Sequence, residues 1–386
     1  MQLCLLLVIV YNTLQHRVEA FSVPGHAHRR HFSTHPTRCT RCEQQLILYS
    51  ISKEQEQIYK LPRLYVGPQS DKSIKLAAGA RIPLSSDQSH YLTNVMRIFK
   101  KRKGNRRQQH QESINIDDAN DISIRDCIRI FNGNDGEWLA RVHDITSQSE
   151  STNIRSKKSA RARKQKEDAS LVAECILQLR TQDYKKDDRP WIMFVPLKNQ
   201  QRLKNMIEKC CEMGVGQFVA VSSDRMEGGA AMNMRFDKLE IQAVEASEQC
   251  ERLDVPLIST SSEDDTLKDV KDIVSQWGSD VEGQSKKRTL LICRERRSSG
   301  DVDSDRPKVI PILQALKNCR RVSFLVGPEG GWTSEEETVF DEVCAKYISI
   351  KDAPVQCVSL GSNVLRAETA SILAVGAWSL INNSPI

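Results

Sequence analysis

From Arg189 onward, short apolar runs alternate with longer stretches whose apolar residues recur every three or four positions: "WIMFVPL", "QRLKNMIEKCCEMG", "FVAVSS", "KLEIQAVEASEQC", "TLLICRE" and "VSFLVG". Brief apolar runs are strands buried on both faces, and the periodic segments between them are crossover helices. This half of the chain therefore predicts an α/β domain on a mostly parallel sheet. In "QRLKNMIEKCCEMG" Leu203, Met206, Ile207, Cys210 and Cys211 share one helical face, and Gly214 follows where a C-terminal cap is needed. "KVIPILQALKNC" reads as another crossover helix, and "GSDVEGQSKK" and "RSSGDVDSDRP" as polar loops.

The preceding segment is different. From "LPRLYVG" through "EWLARVHDI" short alternating strands are broken by Gly, Asp and Asn, with a tight turn expected at Asn132 to Gly136. Two basic tracts interrupt this β-rich unit, "KKRKGNRRQQHQ" at 100–111 and "RSKKSARARKQK" at 155–166, and neither has the hydrophobic period of a folded element. They read as exposed loops. The net charge of +6 averages over these blocks, so a polyanionic partner such as nucleic acid stays open.

A chain of 386 residues, 39% of them hydrophobic, suffices for two domains and a leader. "MQLCLLLVIV" is too short to span a bilayer and precedes "VEA", a signal-peptidase-like site; "FSVPGHAHRRHFSTHPTRCTRC" then lacks acids until Glu43, as transit peptides do. The expected order is a signal peptide at 1–20, a transit-peptide-like leader at 21–58, the β-rich unit at 59–187 and the α/β domain at 188–386. Such a bipartite leader points to a plastid, with the mitochondrion as the alternative. No later segment reads as a membrane span, so no membrane association is expected of the mature chain. Cysteines scattered through apolar segments read as reduced and buried. Cys39 and Cys42 have metal-like spacing without two further ligands, and no metal is expected.

Two constellations carry chemistry. In "FLVGPEGGWTSEEE", Gly327, Gly330 and Gly331 clear side chains from the carboxyl end of a strand, where open α/β sheets bind ligands. No Lys and hydroxyl follow as in a phosphate loop. Thr333 and Glu336 instead form a capping box, and Glu335 to Glu337 serve helix initiation. In "VSLGSNVLRAETASILAVGAW" a strand ends at Leu360 and Gly361, a loop carries Arg366 and Glu368, and a helix begins at Thr369. Arg366 and Glu368 either pair with each other at the surface or form part of a site. The absence of histidine beyond residue 189 argues against a Ser-His-Asp hydrolase or a His-ligated metal enzyme.

"FLVGPEGGWTSEEE" followed by "VSLGSNVLRAETA" resembles the ribosomal small-subunit RNA uridine-N3 methyltransferase family of the SPOUT (trefoil-knot) superfamily. "IEKCCEMGVGQFVAVSSDR", "EASEQCERLDVP", "LPRLYV" and "HYLTNVMR" extend the likeness over residues 61–386. The resemblance implies an α/β trefoil-knot methyltransferase domain behind an N-terminal PUA-like β-barrel, and a homodimer acting on small-subunit ribosomal RNA or the ribosomal subunit. It implies that S-adenosyl-L-methionine lies against Gly327, Pro328, Glu329, Gly330 and Gly331 and against Leu360, Gly361, Leu365, Thr369 and Ala370, with Pro196 and Leu197 completing the pocket. Arg366 is the candidate for stabilising negative charge on uracil; Glu368 either orients Arg366 or accepts the N3 proton. Arg63, His90 and Arg97 are candidate RNA contacts, although His90 also reads as a core histidine. Gln249 and Arg252 either fix the nucleotide or brace the subunit interface. Ser362 and Asn363 depart from the family's usual Pro and Arg. Two alternatives stand beside this reading: a non-catalytic RNA-binding or ribosome-assembly factor retaining the fold, and a methyltransferase for another RNA position.

Overall fold

The computed structural model describes residues 56–67, 74–98, 113–117, 120–123, 126–144, 171–182, 188–262, 266–277, 288–294, 309–317, 319, 321–347, 350 and 353–382. All fall in one unit, Glu54–Ile386. Residues 1–55 of the expected leader and both basic tracts lie outside the described residues, whereas 56–58 are helical with Ile58 buried.

The front half contains strands β1 (Arg63–Tyr65), β2 (Arg81–Pro83), β3 (Ser113–Asp117), β4 (Asn120–Ser123), β5 (Cys127–Phe131), β6 (Glu137–Asp144) and β7 (Leu171–Arg180). Five of them form a sheet in the order β1-β5-β6-β7-β2, and β3 pairs with β4 as a hairpin. The turn expected at 132–136 joins β5 to β6. Asn132 Oδ1 accepts the amides of Asn134 and Asp135 at 3.0 and 2.8 Å, while Gly133 and Gly136 take φ of +84° and +78°. A Cβ on Gly136 would stand 2.1 Å from the Arg180 carbonyl oxygen, so only glycine fits. Between β2 and β3 lies the short helix α1 (Ser86–His90), which continues into a π-helical turn, Tyr91–Val95.

The second half is an all-parallel seven-stranded sheet. In chain order its elements are β8 (Trp191–Phe194), α2 (Gln200–Glu212), β9 (Gln217–Ala220), α3 (Phe236–Gln249), β10 (Leu257–Thr260), α4 (Val270–Gln276), β11 (Thr289–Cys293), β12 (Ile310–Pro311), α5 (Ile312–Leu316), β13 (Val322–Val326), α6 (Ser334–Ala345), β14 (Val355–Ser359) and α7 (Ala367–Asn382). The spatial order is β10-β9-β8-β13-β11-β14-β12. Both faces are covered, as a parallel sheet requires. Along β8, Ile192 and Phe194 join one core with Leu203 of α2, Leu239 of α3 and Trp378 of α7; Met193 joins Ile273 of α4 and Phe340 of α6 on the other.

The five apolar residues expected on one face of α2 are all buried. Gly214, at φ +95°, ends the helix: its amide donates to Cys211 O and that of Val215 to Cys210 O, each at 3.0 Å, the paired bonds of a Schellman cap. The stretch "KVIPILQALKNC" differs from expectation. Ile310 and Pro311 pair with β14, and the helix begins only after Pro311, which fixes φ and has no N–H to donate. Among the described residues no helix is long and apolar enough to cross a membrane. Their cysteines are free thiols, all buried except the partly exposed Cys250.

Candidate functional site

Strand order builds the site. β11 lies between β13 and β14, so the carboxyl ends of these three strands stand side by side. Each ends in residues that line a common cleft of about 250 Å³: Gly327 to Trp332 after β13, Cys293 and Arg294 at β11, and Leu360 and Gly361 after β14. Leu365, Ala367 and Ala370 close it from the start of α7, and Arg225 from the loop after β9. The glycine corners are therefore not adjacent. A strand that precedes both in sequence separates them and contributes a cation, because Arg294 directly follows the apolar run of β11.

The cleft has room because its glycines are needed as glycines. A Cβ on Gly327 would lie 2.9 Å from Trp332 Cε2, and that indole is fixed by donating from Nε1 to Cys293 O at 3.2 Å and by packing edge-on against Phe340. Gly331 and Gly361 hold φ of +70° and +141°, and a Cβ on either would meet nothing within 4 Å. Open space over bare backbone is what a flat ring system needs. Ser359 Oγ donates to Gly361 O at 2.9 Å and holds the second corner.

A strap from across the sheet fixes the first corner. Glu336, fully buried, closes the expected capping box with Thr333, and its Oε1 also accepts Ser223 Oγ at 2.7 Å and the Asp224 amide at 3.0 Å. Thr333 Oγ1 approaches Asp224 Oδ2 at 3.3 Å, and Arg225 Nη1 donates to Gly330 O at 2.6 Å. Hydrogen bonding from Lys271 holds the Asp224 carboxyl below its usual range.

Electrostatically the cleft is mixed. Arg294 is buried and paired with Glu337 at 3.3 Å and with Asp341. Burial pushes the Cys293 thiol up to about 12, so it is no nucleophile. No group of three His, Cys, Asp or Glu among the described residues is arranged to hold a metal ion.

Arg366 is exposed, and its guanidinium has no partner among the described residues. α7 starts at Ala367, earlier than expected, with the Ala370 amide donating to Arg366 O at 2.8 Å. Glu368 and Thr369 therefore sit in its first turn, where the helix dipole favours an acid. Glu368 does not pair with Arg366. Its Oε1 lies 3.6 Å from Arg202 Nε on α2, and its Oε2 is buried without a partner. Thr369 is exposed, and Pro196 and Leu197 are buried. None of these three is among the residues lining the cleft. Leu197 packs into the core beneath it. Arg225, Cys293, Arg294, Val326, Trp332, Glu337, Asn363 and Ala367 line it without having been singled out for it in the sequence.

The RNA candidates divide. His90, Arg97 and Gln249 are exposed, with Arg97 at φ +55° after the π-helical turn. Arg63 and Arg252 are buried and bonded within the protein. Arg63 pairs with Glu137 at 2.6 Å and donates to Ser247 O and Arg252 O at the end of α3, while Arg252 donates to Cys211 O and Val215 O and pairs with Asp254. Neither guanidinium is open to a phosphate. Glu137, fully buried, also takes Arg180 at 2.7 Å and Arg129 at 3.5 Å, so three arginines of the front sheet converge on it.

An open parallel α/β sheet with a cleft of glycine corners at its carboxyl edge defines a nucleotide- or cofactor-binding domain. Residues 185–379 match the RNA methyltransferase domain family, and the chain belongs to that family. It is 24% identical over 325 residues to ribosomal RNA small subunit methyltransferase E of Rickettsia conorii, covering 84% of this chain and 97% of the relative. The enzyme of the same name from Synechocystis is 22% identical over 356 residues, 89% of this chain and 91% of its own. The crystal structure of ribosomal RNA small subunit methyltransferase E from Neisseria gonorrhoeae, bound to S-adenosyl methionine, shares the fold with a TM-score of 0.50 at 21% identity, covering 83% of this chain and 98% of that one.

Proposed function

We propose that this chain transfers a methyl group from S-adenosyl-L-methionine to N3 of a uridine in small-subunit (16S-type) ribosomal RNA. The carrying observation is the cleft: bare backbone at Gly327, Gly330, Gly331 and Gly361, a wall of Leu360, Leu365 and Ala370, and the unpartnered cation Arg366 in the same loop as Leu365. Open space above Gly331 and Gly361 fits an adenosyl group. When bound, the donor supplies an electrophilic methyl carbon, which needs neither metal nor covalent intermediate.

The chain's own residues must then make uracil N3 a nucleophile. N3 carries a proton, and its loss leaves negative charge on the flanking carbonyl oxygens. Arg366, whose guanidinium no carboxylate among the described residues engages, stabilises that charge. Glu368, whose Oε1 lies 3.6 Å from Arg202 Nε and whose Oε2 is buried without a hydrogen-bond partner, is the candidate acceptor of the N3 proton. The front sheet acts as a PUA-like RNA-binding barrel, with His90 and Arg97 on its exposed surface. The chain works as a homodimer: Leu373 and Leu380 of α7, seven residues apart and 43% and 76% exposed, support self-association through that helix. It acts in a plastid, where the 1–58 leader directs it.

The test is mass spectrometry of small-subunit RNA incubated with the purified chain and donor. The expected product is 3-methyluridine. Methylation at another atom would redirect the specificity, and a chain with no measurable donor affinity would leave the non-catalytic assembly factor.

A further inference from the structure

The cleft carries two rim charges that have no counter-charge among the described residues. Of its two arginines, Arg294 is matched by Glu337 and Asp341, but Arg225 has no carboxylate partner among the described residues. Its guanidinium is nevertheless held: Nη1 donates to Gly330 O at 2.6 Å, and its Cδ packs where a Gly330 Cβ would come within 3.5 Å. The backbone beneath it is held by Glu336 through Ser223 and the Asp224 amide. Glu329, at the tip of the glycine corner, is exposed and has no cationic partner among the described residues.

A fixed guanidinium uses one N–H on the corner and keeps its others, and planar forks of this kind favour carboxylates. A nearby acid of opposite charge matches an ammonium. Together they suit the zwitterionic end of an amino acid. We infer that Arg225 binds the α-carboxylate of the methyl donor, with Glu329 supplying the complementary charge for its ammonium, so that the two residues select a donor with an intact amino-acid end. This rests on the donor reading above and deepens it.

The probes are S-adenosylmethionine and its decarboxylated form, which keeps the amine and sulfonium, titrated calorimetrically without RNA into the full chain. The wild type is expected to prefer the intact donor by about tenfold or more, the range of a charge-assisted hydrogen bond. Arg225→Ala should bring that ratio close to one by weakening only the intact donor, and Arg225→Lys should restore part of it. Glu329→Gln should weaken both ligands alike. If Arg225→Ala weakens both ligands equally, the residue merely shapes the corner and the inference is overturned. If neither affinity changes, the guanidinium serves another anion such as an RNA phosphate, and the inference is again overturned. A wild type that binds both ligands equally sinks this inference alone, whereas one that binds neither sinks the donor reading with it.

Discussion

Arg366 and Glu368 stand two apart in the sequence and serve different partners in the fold. Adjacency predicts either a mutual ion pair or a shared site, and local spacing does not decide between them. Packing does: α2 brings Arg202 to within 3.6 Å of Glu368, which leaves Arg366 without a counter-charge among the described residues. If Arg366 acts on the developing uracil anion, Arg366→Ala should lower kcat by about 10²–10³-fold, the usual loss for an electrostatic donor of this kind. Donor affinity by calorimetry and the melting temperature should both hold, because the side chain is exposed and unpaired. Equal loss of donor binding would move Arg366 from charge stabilisation to cofactor contact. The glycine corners are legible because a cluster of residues without side chains after a buried strand has few other purposes. Arg225 is not legible, since nothing in "SSDRMEGG" reveals that its guanidinium reaches Gly330, 105 positions away.

At the scale of elements, cap chemistry is local and reads well. Thr333 and Glu336, and Gly214 after α2, each occupy the cap the sequence assigns them. What sequence omits is the second use of Glu336, whose Oε1 holds the loop after β9 from 113 residues away. Glu336→Ala removes the Thr333 amide's acceptor, one half of the capping box, and leaves the Ser223 hydroxyl and the Asp224 amide without theirs. The expected cost is about 2–4 kcal/mol, read as a lowered urea midpoint with an unchanged m-value. Donor affinity should fall as well, because the strap that fixes Gly330 depends on the same carboxylate. The short α5 has a different lesson: an amphipathic pattern continued across Pro311 is divided by the proline, and the leading residues go to the edge of the sheet.

For the molecule as a whole, the decisive feature is the junction between the front sheet and the parallel-sheet domain. Arg63, Arg129 and Arg180 surround Glu137 and also reach Ser247 O in the last turn of α3 and, just beyond the helix, Glu251 O, Glu251 Oε1 and Arg252 O. Cations at a helix C-terminus are favoured by its dipole. Glu137→Ala would strand these guanidinia in the junction, at an expected cost of about 3–5 kcal/mol by chemical denaturation. Glu248, beside them, accepts the Tyr65 amide at 2.8 Å, and burial pushes its carboxyl up to about 7. A carboxyl raised in the folded state binds a proton that the unfolded chain has released. Stability from this group therefore declines as pH rises from the ordinary carboxylate range through about 7. Glu248→Gln, which still offers the Tyr65 amide an acceptor, should flatten that slope and raise the melting temperature at pH 8 relative to wild type. An unchanged pH profile would assign the slope to other groups.

Strand and helix alternation, burial of both sheet faces, helix caps and glycine corners were all decided within a few residues of chain, because backbone geometry and hydrophobic period are local properties. Strand order was not. That β11 inserts between β13 and β14, that Arg225 reaches over Gly330, and that Arg63 and Arg252 turn inward follow from contacts between segments tens to nearly two hundred positions apart. Guanidinium groups stay in water unless a buried partner pairs them, so composition leaves their direction open until the packed domains supply or withhold that partner.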